Sequence, residues 1–96
     1  PRVLTLLAPG FNRIEFYGPA ATLQALGYEV VVAAAQPSTV PLDKEGKPSP
    51  GRDVPVDVTL ADVRPADYAA LFVPGGYSPA SLENNPDAIR ITREFL

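Results

Sequence analysis

A chain of 96 residues, 46% hydrophobic and 20% charged, has the size and composition of one small globular domain, and no second domain is expected. Its 8 basic and 11 acidic residues leave a net charge of -3 with no long run of either sign, which argues against a nucleic-acid groove or a membrane-surface patch. It contains no cysteine and no histidine, which removes disulfides, the commonest zinc sites, a common nucleophile and the commonest general base. The apolar runs are far shorter than the roughly 20 residues of a spanning helix, and no signal-peptide pattern is visible, so a cytoplasmic setting is expected.

The chain opens with RVLTLLAPGF, where near-continuous apolarity from Arg2 to Leu7 predicts a strand buried on both faces, as in a parallel sheet. Phe16, Ala20, Leu23 and Leu26 then recur at helical steps, with Gly27 as the expected stop. Two helix starts fit. Asn12 can be the cap with Glu15 closing a capping box, or Gly18 can be the cap with Pro19 at the first helical position. If the earlier start holds, Pro19 falls inside the helix and should kink it. A second buried strand is expected from Tyr28 to Ala35, where three adjacent valines favour the extended state. Strand, helix and strand in this order make a right-handed parallel unit.

From Gln36 to Pro55 the composition changes, with prolines at 37, 41, 48, 50 and 55. This segment reads as a proline-rich surface excursion holding at most a short hairpin. VPVDVTL follows as a short edge strand, because Pro55 lacks a ladder donor. RPADY reads as a helical turn leading into AALFV, the third main strand. That strand runs into PGGY. Gly75 and Gly76 at such an exit serve either a tight turn with positive φ or the close approach of another group to the backbone. A final helix begins with Asn85 as cap, Pro86 first and Asp87 near its positive end, with Ala88, Ile91 and Phe95 as its apolar stripe.

That stripe is still running at Leu96, and three main strands with their helices leave apolar faces uncovered. The chain is therefore read as the first half of a larger α/β domain, a flavodoxin-like doubly wound parallel sheet spanning residues 1–96 so far, with a complete miniature fold as the alternative. A complementary C-terminal half, or tight packing in a homo-oligomer, is expected to cover the exposed edges.

LLAPGFNRIEFYGPAATLQALGYEVVVAA, followed by VTLADVRPADYAALFVPGGYSPASLENNPDAIRITREF, resembles the N-terminal half of the ThiJ/PfpI family within the class I glutamine amidotransferase-like superfamily. The glutamate of FNRIEFYGP and the DYAALFVPGG strand exit, in that order and separation, carry most of the resemblance. It implies a nucleophilic cysteine in the segment that follows in the family, with a histidine partner, and no metal or organic cofactor. Glu15 matches the glutamate that contacts the cysteine sulfur and transfers protons. Gly75 and Gly76 match the glycines beside the nucleophile, with the Gly76 amide as the preferred oxyanion donor. Tyr77 either lines the substrate pocket or covers an adjacent subunit.

The resemblance implies a cysteine-dependent enzyme acting on small carbonyl compounds, their adducts or amides, with glyoxalase III-like, deglycase-like and hydrolase chemistry all represented. The alternatives are the ligand-sensing domain of a transcription regulator and a non-catalytic stress or chaperone protein. Residues 1–96 alone are expected to be inert. Asn12 and Arg13 stand where the family often has acidic residues, and Ala80 stands at the position of a peptidase glutamate, which argues against peptidase chemistry.

Overall fold

A computed structural model describes residues 1–36, 38–39, 47, 54–75 and 82–96. In chain order these form β1 (Arg2–Leu6), α1 (Arg13–Ala25), β2 (Glu29–Ala34), β3 (Ser38–Thr39), β4 (Val54–Pro55) and β5 (Val58–Thr59). Two 3-10 turns at Leu60–Asp62 and Pro65–Asp67 then lead to β6 (Ala70–Phe72), and α2 (Pro86–Phe95) is the last element. The main sheet has four strands in the order β5-β2-β1-β6, every pair parallel. β1 lies at its centre, with Leu4 beside Val31 on one side and beside Leu71 on the other.

The near-continuous apolarity of β1 follows from this placement, since both of its faces are covered. Leu4, Leu6 and Ala8 pack with Val31 and Ala33 beneath Ala88 and Ile91 of α2. On the opposite face Leu7, Phe11 and Val32 pack with Phe16 and Ala20 of α1. Alternate residues thus feed two cores separated by one sheet, the arrangement that a parallel sheet with helices on both sides requires.

Of the two possible helix starts, the earlier is realised: Asn12 is the extended N-cap of α1 and its side chain accepts from the Glu15 amide. Pro19 lies in the helix interior, so the Glu15 carbonyl has no amide four residues on to bond. The helix stops as expected, because Gly27 adopts φ +92 and the chain closes a Schellman motif. Its amide bonds the Gln24 carbonyl at 3.0 Å, and the Tyr28 amide bonds Leu23 at 3.0 Å. Leu26 departs from the expected apolar stripe. It is the C-cap and stands 70% exposed, because the chain is already turning away from the helix there.

VPVDVTL forms two short strands instead of one. β4 pairs antiparallel with β3, the short hairpin expected in the proline-rich segment, whereas β5 joins β2 at the sheet edge. Asp57 causes the break. Its amide bonds the Val32 carbonyl at 2.9 Å while its carboxylate accepts from the Val32 amide at 2.8 Å, so a side chain takes the place of a ladder acceptor. The rest of the proline-rich segment lies outside the described residues, apart from Gln36 and Lys47.

α2 is fastened at both its start and its middle. The Asn85 side chain accepts from the amides of Asp87 and Ala88. Arg90 reaches the carbonyls of Leu60 and Val63, at 3.3 Å each, which bonds α2 to the 3-10 turn beneath it. No helix among the described residues is long and apolar enough to cross a membrane.

Candidate active site

The first strand leaves the sheet through Leu7, whose amide bonds the Ala33 carbonyl at 2.9 Å, and the chain then turns at Gly10 with φ +91. Phe11 anchors the loop. It is fully buried and meets Phe16 edge-on, with ring centroids 5.6 Å apart. Phe11 precedes the N-cap and Phe16 is the fourth helical residue, so the pair is a hydrophobic staple that sets the angle at which the chain enters α1. Glu15 is thereby presented from the first turn of the helix, at the carboxyl edge of the sheet.

β6 lies against the other side of β1 and runs the same way, so its exit reaches the same edge. After Phe72 the chain passes Val73 and the fully buried Pro74 to Gly75. Here the two segments meet. The Gly75 carbonyl accepts from the Asn12 amide at 2.8 Å. A methyl carbon added at Gly75 would stand 3.0 Å from Cδ and 3.2 Å from Oε1 of Glu15, and closer still to Oε2. The carboxylate of Glu15 therefore lies directly over the Cα of Gly75.

This contact separates the two uses open to the glycine. Among the described residues only Gly10 and Gly27 have positive φ, so Gly75 is not there for a left-handed turn. It is there for close approach.

The same geometry bears on Glu15. In a complete capping box the carboxylate would reach back to the Asn12 amide, but that amide is bonded to Gly75. Only one half of the box is formed, from the Glu15 amide to the Asn12 side chain at 3.1 Å. The carboxylate is left for other work, and Glu15 is solvent-exposed among the described residues.

The meeting point has a topological basis. β1 is followed by α1 on one face and a move to β2, whereas β6 lies on the other side of β1 and α2 packs on the opposite face. The crevice at the carboxyl ends of β1 and β6 is therefore a switch point, where open α/β sheets bind their ligands. A second hollow of about 250 Å³ opens at the same edge on the α2 side, lined by Pro9, Ala35, Gln36, Leu60 and Asn85 among others. A third cleft, of about 350 Å³, lies between α2 and the exits of β1 and β6, lined by Leu6, Val73, Ile89 and Thr92 among others. Gly76, Tyr77 and Ala80 lie outside the described residues. Sequence reasoning had no separate role for Phe11, although an aromatic residue just before a cap, with another four residues into the helix, is the signal of a staple.

Comparison with known proteins gives a consistent result. The model of the DJ-1/PfpI family matches residues 1–96. An Escherichia coli protein named protein/nucleic acid deglycase 2 is 30% identical over 95 residues, which cover 99% of this chain and 53% of that protein. An uncharacterized protein of Archaeoglobus fulgidus is 37% identical over 95 residues, with the same 99% and 53% coverage. Among solved structures, a two-domain protein of Anabaena variabilis with DJ-1/ThiJ/PfpI-like and ferritin-like domains superposes with a TM-score of 0.83 at 26% identity, over 98% of this chain and 27% of its own. The chain spans about half the length of the curated relatives it matches.

Proposed function

The chain belongs to the DJ-1/PfpI family, and we propose on that premise that it forms the first half of a cysteine-dependent enzyme domain acting on small carbonyl compounds, their adducts or amides. The observation that carries the reading is the Glu15 carboxylate, released from its cap and laid over the strand exit at the switch point. A deglycase by name among the relatives favours the carbonyl-adduct branch.

Residues 1–96 contain neither cysteine nor histidine, so the nucleophile and its partner come from the remainder of the protein. Among the described residues β6 is the last strand of its sheet, and the apolar cleft at its exit exposes Val73 at 39% and Ile89 at 37%, which supports such a complement.

In the proposed reaction the thiolate adds to the substrate carbonyl carbon, and the carbonyl π pair moves onto oxygen. The Gly76 amide stabilises that oxyanion, and Glu15 delivers the proton that neutralises it. On a 2-oxoaldehyde the Glu15 carboxylate then takes the proton from the adduct carbon and returns it to the neighbouring carbon, while the hydroxyl proton passes to the former ketone oxygen, giving a thioester. Water adds to that thioester, the 2-hydroxy acid and the thiolate leave, and the proton released returns to Glu15.

Turnover of methylglyoxal and of an amide panel by the full-length protein and its Glu15→Gln variant tests this. Glutamine keeps the size of the side chain but cannot accept and return a proton, so turnover should fall about 100-fold or more with little change in the unfolding midpoint. Unchanged turnover removes Glu15 from the mechanism. Ligand binding without turnover by the wild type shifts the assignment to a sensor.

A further inference from the structure

We propose that Gly75 and Asn12 are positioning residues for Glu15, together holding its carboxylate off the helix cap and over the carboxyl edge of the sheet. The proposal deepens the reading of Glu15 as proton carrier and rests on it.

Three observations combine. First, Gly75 lacks the positive φ that would call for glycine, so an alanine there meets no backbone objection. What it meets is the Glu15 carboxylate, with Cδ at 3.0 Å and Oε1 at 3.2 Å from the added carbon. The missing side chain at Gly75 is thus the seat of the Glu15 head group. Second, the Asn12 amide is the local competitor for that head group, because a capping box would fold the carboxylate back onto it. Its bond to the Gly75 carbonyl at 2.8 Å occupies the donor and removes the competing conformation. Third, both effects come from one residue whose own place is set by the β1–β6 register and by the buried Pro74 before it. The seat and the blocked alternative are delivered by the same strand exit.

Gly75 therefore acts through Glu15, as a spacer and as a carbonyl acceptor. Its Cα carries the space and its carbonyl carries the bond.

A double-mutant cycle in the full-length protein tests the proposal. Gly75→Ala keeps the backbone amide and carbonyl and adds only the methyl group. It should lower the unfolding midpoint by only about 1–4 °C, because the atoms it meets are the far end of an exposed side chain that can swing aside. In the Glu15→Ala background the same methyl should lower it by less than about half as much, because the group it displaces is gone. A second readout, carboxyl ¹³C NMR of glutamate-labelled protein, should show the Glu15 resonance moved in Gly75→Ala while those of Glu29 and Glu94 stay in place. A merely structural role would move no single carboxyl in this way.

Equal costs in the two backgrounds, or an unmoved Glu15 resonance in folded Gly75→Ala, overturn the proposal. If Gly75→Ala does not fold, Glu15→Ala/Gly75→Ala should, and failure of both overturns it too. Neither readout uses turnover, so these outcomes stand apart from any failure of Glu15 as proton carrier.

Discussion

The two helices start with the same residue type and put it to different use. Asn85 caps α2 with bonds from Asp87 and Ala88, Pro86 follows at the first helical position, and the cap is complete within five residues of chain. Asn12 caps α1 with one bond from Glu15, while its own amide is spent on Gly75, some sixty residues away. A self-contained cap fixes a helix and nothing more. One that shares its donors with a distant strand exit ties the helix to that exit and frees the carboxylate beside it.

The faces of the helices differ in the same sense. α2 buries Ala88 and Ile91 and uses its charges to hold itself in place, with Arg90 near Asp87 and Glu94 and bonded to the turn beneath. α1 buries Phe16 and Ala20 yet leaves Ile14 and Tyr17 exposed at 66% and 48%. The first is a packing element and the second is packing element and site support together.

Core truncation should break this comparison most strongly. Phe11 and Ile91 are both fully buried, one in each core. Phe11→Ala should cost about 3–5 kcal/mol and Ile91→Ala about 2–5 kcal/mol in chemical denaturation. Only Phe11→Ala should also lower turnover per folded molecule, because only it removes the staple that aims Glu15. Equal loss of turnover in both would deny α1 its special part.

The caps give a smaller and sharper contrast. Asn12→Ala and Asn85→Ala should each cost about 1 kcal/mol, the usual cost of losing a side-chain cap. Asn12→Ala should lower turnover as well, since the first turn that carries Glu15 frays, whereas Asn85→Ala should leave turnover per folded molecule unchanged. The reverse pattern would place the site at α2.

Much of the fold was legible because local signals agreed with it. The apolar runs of β1 and β2 announced two-sided burial, Gly27 announced the end of α1, and Asn85 with Pro86 announced α2. Other features were set by partners far along the chain. VPVDVTL carries no mark of the break at Asp57, because the amide that its carboxylate accepts from belongs to Val32.

The site divides in the same way. Glu15, Gly75 and Gly76 were named from family resemblance, and a local reading of Asn12 and Glu15 gives a capping box. That reading fails at one bond, because the Gly75 carbonyl reaches the Asn12 amide only once β1 and β6 are in register. Close approach rather than turn geometry at Gly75 was likewise hidden, since a glycine looks the same in sequence for both.

In the proposed function Glu15 is freed from its cap to serve a nucleophile supplied by the rest of the protein. A crystal structure of the full-length protein tests it most directly. The account predicts the Glu15 carboxylate within hydrogen-bond reach of a cysteine sulfur, with the Asn12 amide still bonded to the Gly75 carbonyl. A carboxylate folded back onto the Asn12 amide, with no thiol within reach, would contradict it.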